Sequence, residues 1–328
     1  MLNGFAAKGE SRTIALAISR TSVETAQVAD VIAGFYASRP GGGIALTAGS
    51  SPGGMIGMPE DLAPDPAPPV VAMMAKTGPE GAPLYTSAVH RVLDTSDNAV
   101  LIRNMLLAQQ DRNAAIVLAG PATGLVRLLD LYGARPQIET KVDRLVIAIG
   151  AFPSGAADPA VQADLVAARR LFAEWPTPIV AVGAEVGQAL PFPASAIEEG
   201  MAWAPAHPVA DAYRAFRPMP YDAPASALAA TLFAVHPDAG HFGLSDPGTI
   251  SVSDDGRTAF TVTAGGPHRY VTVDPAQAAR VIQVYTETVT ARPAPRPGRR
   301  GGPPPAQQPP QQQPAPARTP PGAKPPVS

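Results

Sequence analysis

AAIVLAGPATGLVRLLDL, residues 114–131, indicates the fold class more clearly than any other part of the sequence. It begins as an apolar run, ends that run at Gly-Pro, and continues directly into apolar residues at helical spacing. A buried strand that turns into a helix in this way is the repeating unit of an α/β fold. The carboxyl end of such a strand, with its free backbone amides, is where α/β folds bind ligands. Taken alone, the stretch is best explained as a generic turn between strand and helix.

The rest of the body continues the alternation of strand and helix. Strand-like runs rich in Val, Ile and Ala also occupy residues 13–19, 43–47, 144–150 and 178–183. They are apolar on both faces, which is typical of strands covered by helices on each side of a parallel sheet. Helical patterns occupy residues 23–37, 98–110, 122–132 and 161–174. The sequence therefore predicts an α/β protein with a doubly wound, mostly parallel sheet.

Both ends of this body depart from the alternation. The first residues, MLNGFAAKGE, have the pattern of the last turns of a helix, and no strand stands before them. After residue 200 the pattern predicts helices over 209–216 and 226–235, then a β-hairpin in TISVSDDGRTAFTVTA (249–264) that turns at Asp-Asp-Gly. A closing helix over 275–289 completes a C-terminal helical and hairpin region.

Composition and charge exclude several classes of protein. The 328 residues are 45% hydrophobic, which is enough for a sizeable core, and the absence of cysteine rules out disulfides, thiolate metal sites and cysteine nucleophiles. Residues 1–290 hold 19 basic and 27 acidic residues, which makes a poor surface for nucleic acid. No apolar run reaches the roughly 18 residues of a membrane helix, and the N-terminus lacks a signal-peptide pattern.

The last segment, residues 291–328, has a different composition from the body. It carries 14 of the 40 prolines and six basic residues, with no acidic and no aromatic residue. Proline lacks the amide donor that helices and sheets need, so this tail is predicted to be disordered and partly polyproline II. It is either a solvated extension or a docking strand for a protein partner with an aromatic groove or an acidic surface.

One motif matches a known site by chance, and two other kinds of site have no matching motif. GSSPG, residues 49–53, fits the G-x-S-x-G elbow of a serine nucleophile, but Pro52 and the glycines after it forbid the helix that the elbow requires after Ser51. The five histidines show no metal-ligand spacing, and there is no glycine-rich phosphate loop. The histidines at 236 and 241 are expected on a loop.

Four segments, in this order along the chain, are more informative about the class of protein: SDNAVLIRNMLLAQQDRNAAIVLAGPATGLVRLL, KVDRLVIAIGAF, ADLVAARRLFAEWPTPIVAVGAEVG and HPVADAYRAFRPMPYDAPASALAATLFAV. Over residues 1–290 the sequence, with these segments in this order, resembles the sequences of the nucleoside hydrolases, specifically a bacterial branch of the inosine-uridine-preferring family. The resemblance implies a nucleoside-hydrolase-like fold that cleaves the N-glycosidic bond of ribonucleosides with one bound Ca²⁺. It also implies that the chain forms homo-oligomers, because the family forms dimers and tetramers.

The resemblance also assigns site residues. The family takes its calcium ligands from an N-terminal D-x-D-x-x-x-D-D motif, a threonine carbonyl and a late aspartate, and its general base from the same motif. Here LNGFAAKGE matches the end of the first helix, so the first strand and the aspartate motif are expected before Met1. Thr123 matches the threonine whose carbonyl binds the metal, although Gly124 replaces the following asparagine. Asp158 and Ala160 stand where a glutamate and an asparagine hold the ribose, which makes Asp158 the expected substrate-binding residue.

The late aspartate of the metal site is also replaced. In this branch PYD-A-P is followed by a Trp-Asp pair, and this chain has Ser226 and Ala227 at those positions. Asp222 would need a backbone shift to take over, and it is better explained as a residue at the start of a helix.

These observations leave three hypotheses for function. The first is a nucleoside-hydrolase-fold protein whose degraded metal site leaves little or no activity. The second is an active ribonucleoside hydrolase whose start has been set too late. The third is a non-catalytic sugar-binding, nucleoside-binding or scaffold protein that engages a partner through its tail. The chain alone predicts a cytoplasmic location, and export if a signal was lost with the N-terminus.

Overall fold

The computed structural model describes residues 1–37, 55–59 and 67–292. Its helices are α1 (Leu2–Ala7), α2 (Val23–Ala37), α3 (Pro68–Met74), α4 (Asn98–Leu107), α5 (Thr123–Asp130), α6 (Ala134–Lys141), α7 (Pro159–Gln162), α8 (Leu165–Glu174), α9 (Ala184–Ala189), α10 (Ala194–Glu198), α11 (Pro208–Phe216), α12 (Ser226–Val235) and α13 (Pro275–Val289). Its strands are β1 (Ala15–Ala17), β2 (Met55–Met58), β3 (Ser96–Asp97), β4 (Ala114–Leu118), β5 (Val142–Ile147), β6 (Ile179–Ala181), β7 (Gly243–Leu244), β8 (Gly248–Val252), β9 (Thr258–Val262) and β10 (His268–Thr272).

The strands of the described residues form two sheets. The smaller sheet has the order β1-β2-β3 and is entirely parallel. In the larger sheet the order is β4-β5-β6-β10-β8-β9, with β7 against β10. Strands β4, β5, β6 and β10 are parallel to one another, whereas β8 and β9 form the antiparallel hairpin. This architecture confirms the α/β class and the mostly parallel sheet expected from the sequence.

Helices cover both faces of the larger sheet. On β5, Leu145 and Ile147 are fully buried in one apolar cluster, to which α5 and α8 contribute. Val146 between them is fully buried in a second cluster, to which α12 and α13 contribute. Successive side chains of a strand point to opposite faces, so a strand apolar at every position is buried on both sides. The interpretation of the unbroken apolar runs is therefore confirmed.

Most predicted elements lie where the pattern placed them, with one clear correction. Helices α2, α12 and α13 have the expected bounds, and α1 occupies the start of the chain. The single helix expected over 161–174 is wrong: the chain forms α7 and α8, with Asp164 between them. Asp164 begins the second helix because its side chain accepts the backbone N–H of Ala167, which offers an alternative to continuous helix.

Four strands were not predicted, namely β2, β3, β7 and β10. Each of these strands has five residues or fewer, and β3 and β10 contain polar residues. The predicted strand at 43–47 and the residues of the tail from 293 onward lie outside the described ranges, so the boundary at residue 290 stays a prediction. None of the helices in the described part combines the length and apolar character needed to cross a bilayer.

Candidate functional site

The polar groups of interest lie at the carboxyl ends of the parallel strands. Strand β4 ends before Gly120, β5 runs into Gly150 and β6 into Gly183. Gly150 has a φ of +84°, a left-handed conformation that glycine adopts without a Cβ penalty. The chain can therefore turn sharply at the end of β5, and the segment that follows folds back across the sheet edge.

Asp158 lies on this segment, and its carboxylate is bound to the backbone. One oxygen accepts the N–H of Gly150 at 2.9 Å. The other accepts the N–H of Ala160 at 2.7 Å and of Val161 at 3.2 Å, which makes Asp158 the N-cap of α7. A carboxylate offers about four lone-pair directions, so three accepted bonds leave one. The structure places Asp158 at the expected sheet edge and also gives it a role in holding the loop.

Thr123 is the first residue of α5, directly after the Gly-Pro turn. Its hydroxyl donates to Asp164 at 2.8 Å, which links the N-termini of α5 and α8. In an α-helix the carbonyl of the first residue accepts the N–H four positions on, so one lone pair of the Thr123 carbonyl is directed into the helix. The structure thus brings Thr123 and Asp164 together, a pairing that the sequence did not predict.

Glu185 is a carboxylate at the end of β6 that sequence reasoning missed. One oxygen accepts the N–H of Phe152 at 3.1 Å, while the other, Oε1, is buried with no hydrogen-bond partner in the described residues. Burial raises the pKa of Glu185. The carboxylate folds back over Gly183, where an added Cβ would lie within 2.4 Å of both its oxygens. The available signal was its position, since Glu185 is the first acidic residue after a buried strand.

Asn98 is a second missed residue, and it lies where the two sheets meet. It is the first residue of α4 and is only 3% exposed. Its Nδ2 donates to the carbonyl of Ile18, at the end of β1, at 3.4 Å. Its Oδ1 is buried and has no hydrogen-bond partner within the described ranges. The one signal of this in the sequence is a polar residue inside an apolar helix pattern.

The remaining residues of the predicted site are in different surroundings. Ser226 and Ala227 are in the first turn of α12, where the hydroxyl of Ser226 donates to the carbonyl of Gly183. Asp222 is exposed and accepts the N–H of Ala194, the first residue of α10. Asp222 therefore does not begin α12 as expected, because the N-cap of α12 is Ala225, and its carboxylate instead binds the first amide of α10 from a distant part of the chain. Ser51 lies outside the described residues.

The two sheets, the helices on both faces and the polar carboxyl ends define a doubly wound α/β protein. No protein-family model and no curated protein matches the chain. Several solved structures are similar to the chain. The inosine-uridine preferring nucleoside hydrolase from Bacillus anthracis is 16% identical, with a TM-score of 0.54 over 85% of this chain and 100% of that one. The plant nucleoside hydrolase PpNRh1 is also 16% identical, with a TM-score of 0.57 over 86% of this chain and 100% of that one.

A third similar structure is the type III effector XopQ, solved as a complex with adenosine diphosphate ribose. It is 14% identical, and the match has a TM-score of 0.56 and covers 88% of each chain. Identities this low establish the architecture alone. The chain has the nucleoside hydrolase fold.

The calcium ion that the resemblance implies can be tested against the oxygens at this sheet edge. Calcium takes six to eight oxygen ligands, usually including several carboxylates. Among residues 1–37, 55–59 and 67–292, no group of three or more His, Asp or Glu side chains could hold a metal ion. The two buried side-chain oxygens without a partner at this edge belong to Asn98 and Glu185, and strands β4 and β5 lie between them. The described residues do not fit a calcium site.

Proposed function

We propose that this chain is a divergent member of the inosine-uridine-preferring nucleoside hydrolase family. In this proposal it binds a ribonucleoside or a similar riboside at the carboxyl ends of its parallel strands. It cleaves the N-glycosidic bond slowly or not at all, because the described residues do not assemble a calcium site. The four sequence segments that resemble the family and the shared fold support membership.

Riboside binding is supported by the chemistry of the sheet edge. Asp158 stands where the family's ribose-binding glutamate is expected, and one of its lone-pair directions is free of backbone amides. A ribose hydroxyl needs one such acceptor. The complex of XopQ with adenosine diphosphate ribose supports the view that this fold accommodates a riboside.

One observation carries the proposal of weak or absent hydrolysis: the carboxylates at this edge already accept hydrogen bonds from the protein itself. The Asp158 carboxylate already accepts three backbone amides, and Asp164 accepts the Thr123 hydroxyl and the N–H of Ala167. Ala227, at the position of the family's late aspartate, offers no side-chain oxygen. A divalent ion would have to replace bonds that hold the loops in place.

Two titrations on the full chain test this proposal. Calcium binding is measured calorimetrically after treatment with a chelator, and riboside binding is measured by ligand-observed NMR with inosine and uridine, with and without calcium. We expect millimolar or tighter riboside binding that calcium does not change. Ribose release from inosine, uridine and a nitrophenyl riboside is expected to stay near the rate without protein.

Each half of the proposal has its own contrary result. Tight calcium binding accompanied by steady ribose release would show a working hydrolase. Absence of binding by inosine, uridine and the nitrophenyl riboside would remove the riboside site itself. The variant Asp158→Ala serves as the site control, because it should weaken riboside binding.

A further inference from the structure

The two sheets meet at a topological switch point. From β1 the chain continues to β2 and β3 on one side, and from β4 it continues to β5 and β6 on the other. Connections that run in opposite directions leave a crevice outside the carboxyl ends of the two strands between which the direction changes, and open α/β sheets bind ligands there. In this chain those strands are β1 and β4.

Asn98 lies in this crevice. Its side chain reaches the carbonyl of Ile18 on the β1 side, and on the β4 side it packs against Gly124, where an added Cβ would lie 3.1 Å from its Nδ2. The amide nitrogen is thereby committed to the protein, while Oδ1 has no partner in the part of the chain described. Buried side-chain oxygens are nearly always hydrogen-bonded, so an unpartnered acceptor in a ligand crevice indicates a ligand that donates.

The first turn of α5 supplies hydrogen-bond donors at the same place. Its eight residues begin at Thr123, and its N-cap, Ala122, provides no side-chain hydrogen bond. The first amides of a helix have no intrahelical acceptor, and the helix dipole makes them attractive to electron-rich groups. A Cβ added at Gly124 in this turn would lie 3.1 Å from Asn98 Nδ2 and 3.8 Å from Oδ1, so the acceptor oxygen lies close to the first turn of α5.

We propose that Asn98 Oδ1 and the first-turn amides of α5 bind a hydroxyl pair of a sugar. A hydroxyl group both donates and accepts, so it can satisfy the Asn98 oxygen and the helix amides together. A phosphate or carboxylate would accept from the amides and repel Oδ1, and an ammonium group would do the opposite. The inference rests on the riboside site proposed above and adds a residue that recognises the sugar hydroxyls.

Asn98 is only 3% exposed, so a sugar that binds it must enter between the carboxyl ends of β1 and β4. Strands β1 and β4 belong to separate sheets in the described residues, so no ladder of backbone bonds joins them. Ser19 lies beside these strand ends, because its hydroxyl would lie 2.9 Å from a Cβ added at Gly120, after β4. Ser19 is exposed, so its side chain can rotate away as a sugar enters.

The experiment compares ligands that lack one hydroxyl with a variant that lacks the oxygen. Dissociation constants are measured by NMR titration for inosine, 2′-deoxyinosine and 3′-deoxyinosine, and for the matching uridine series. In the unmodified chain we expect at least one deoxy analogue to bind about tenfold more weakly than the full riboside. In Asn98→Ala the full riboside should weaken by a similar factor, and the difference from that deoxy analogue should vanish.

Asn104→Ala is the matched control, because Asn104 lies on the exposed side of the same helix and contacts Arg103. It should leave all dissociation constants unchanged. If Asn98→Ala fails to fold, the ligand series on the unmodified chain decides, and equal dissociation constants for the full ribosides and their deoxy analogues would overturn the inference.

The contrary outcomes separate this inference from the proposed function. If inosine or uridine binds but neither deoxy analogue is weaker, or if Asn98→Ala keeps the same preference, Asn98 does not recognise the hydroxyl pair and the riboside site stands elsewhere. If no riboside binds the unmodified chain, the proposed function fails, and this inference fails with it.

Discussion

Replacing Asp158 by alanine tests whether its carboxylate holds the loop after β5. The substitution removes the cap of α7, which costs about 0.5–2 kcal/mol in comparable helices. It also leaves the N–H of the buried Gly150 without its acceptor, and an unsatisfied buried donor costs about 1–3 kcal/mol. We expect Asp158→Ala to lower the free energy of unfolding by about 1.5–5 kcal/mol. Asp158→Asn keeps a capping oxygen and should cost about half as much, because only the bond to Gly150 is lost.

Urea unfolding followed by tryptophan fluorescence measures these changes. The control is Asp222→Ala, since Asp222 is exposed and accepts the single N–H of Ala194, so its loss should cost no more than about 1 kcal/mol. An Asp158→Ala change below about 0.5 kcal/mol, or equal to that of the control, would refute the argument. The carboxylate would then be free for a ligand, and the case against hydrolysis from committed oxygens would fail.

Three further predictions concern single residues. Burial lowers the pKa of His207 to about 4. The stability that the neutral form of His207 contributes is therefore fully present above pH 6.5 and is lost as the pH falls from 6.5 toward 4. His207→Asn, which keeps a capping side chain, should shift the acid-unfolding midpoint to lower pH. Burial raises the pKa of Glu185, so its ionisation opposes folding as the pH rises above the ordinary glutamate range. Glu185→Gln should therefore gain stability relative to the unmodified chain between pH 4.5 and pH 8 in a urea series. Gly150→Ala should cost more than the roughly 1–2 kcal/mol expected for Gly133→Ala, because both have positive φ but only Gly150 is crowded, by Thr258.

Each of these has a clear contrary result. An unchanged acid-unfolding midpoint in His207→Asn would mean that protonation of this histidine does not cause the acid unfolding. A Glu185→Gln difference that does not vary with pH would show that the carboxylate is not desolvated. Equal losses at the two glycines would show that the turn after β5 has room for a side chain.

The sequence predicted the elements that have continuous apolar patterns and missed strands that lack such a pattern. Strand β5 and helix α5 both have continuous patterns of apolar residues. Such a pattern indicates burial on both faces for a strand and burial on one face for a helix. Strand β10, with the sequence HRYVT, carries polar residues and joins the sheet through its backbone pairing with β6. A backbone pairing between residues far apart in the chain leaves no periodic signal in either segment.

The candidate site was predicted less well for a different reason. Asp158 was found through its position after a strand, and the same rule would have found Glu185. Whether a carboxylate is free or already bound to backbone amides depends on loop geometry, such as the turn at Gly150, that residue types do not specify. Asn98 was missed because its environment comes from β1 and α5, which lie far from it in the chain.

A ligand hydroxyl gains more free energy from a buried oxygen that has no hydrogen-bond partner than from one that is already bound to backbone amides. At Asp158 a ligand hydroxyl can use the one remaining lone-pair direction, but three amides already stabilise this carboxylate, so the added bond yields less free energy. At Asn98 Oδ1 a hydroxyl would displace nothing, and it would relieve a desolvation cost of about 1–3 kcal/mol that the folded chain already carries. Hydroxyl recognition in this fold should therefore depend more strongly on the asparagine between the two sheets than on the aspartate that the sequence singled out. Riboside affinity should consequently fall further in Asn98→Ala than in Asp158→Asn, and the reverse order would contradict this argument.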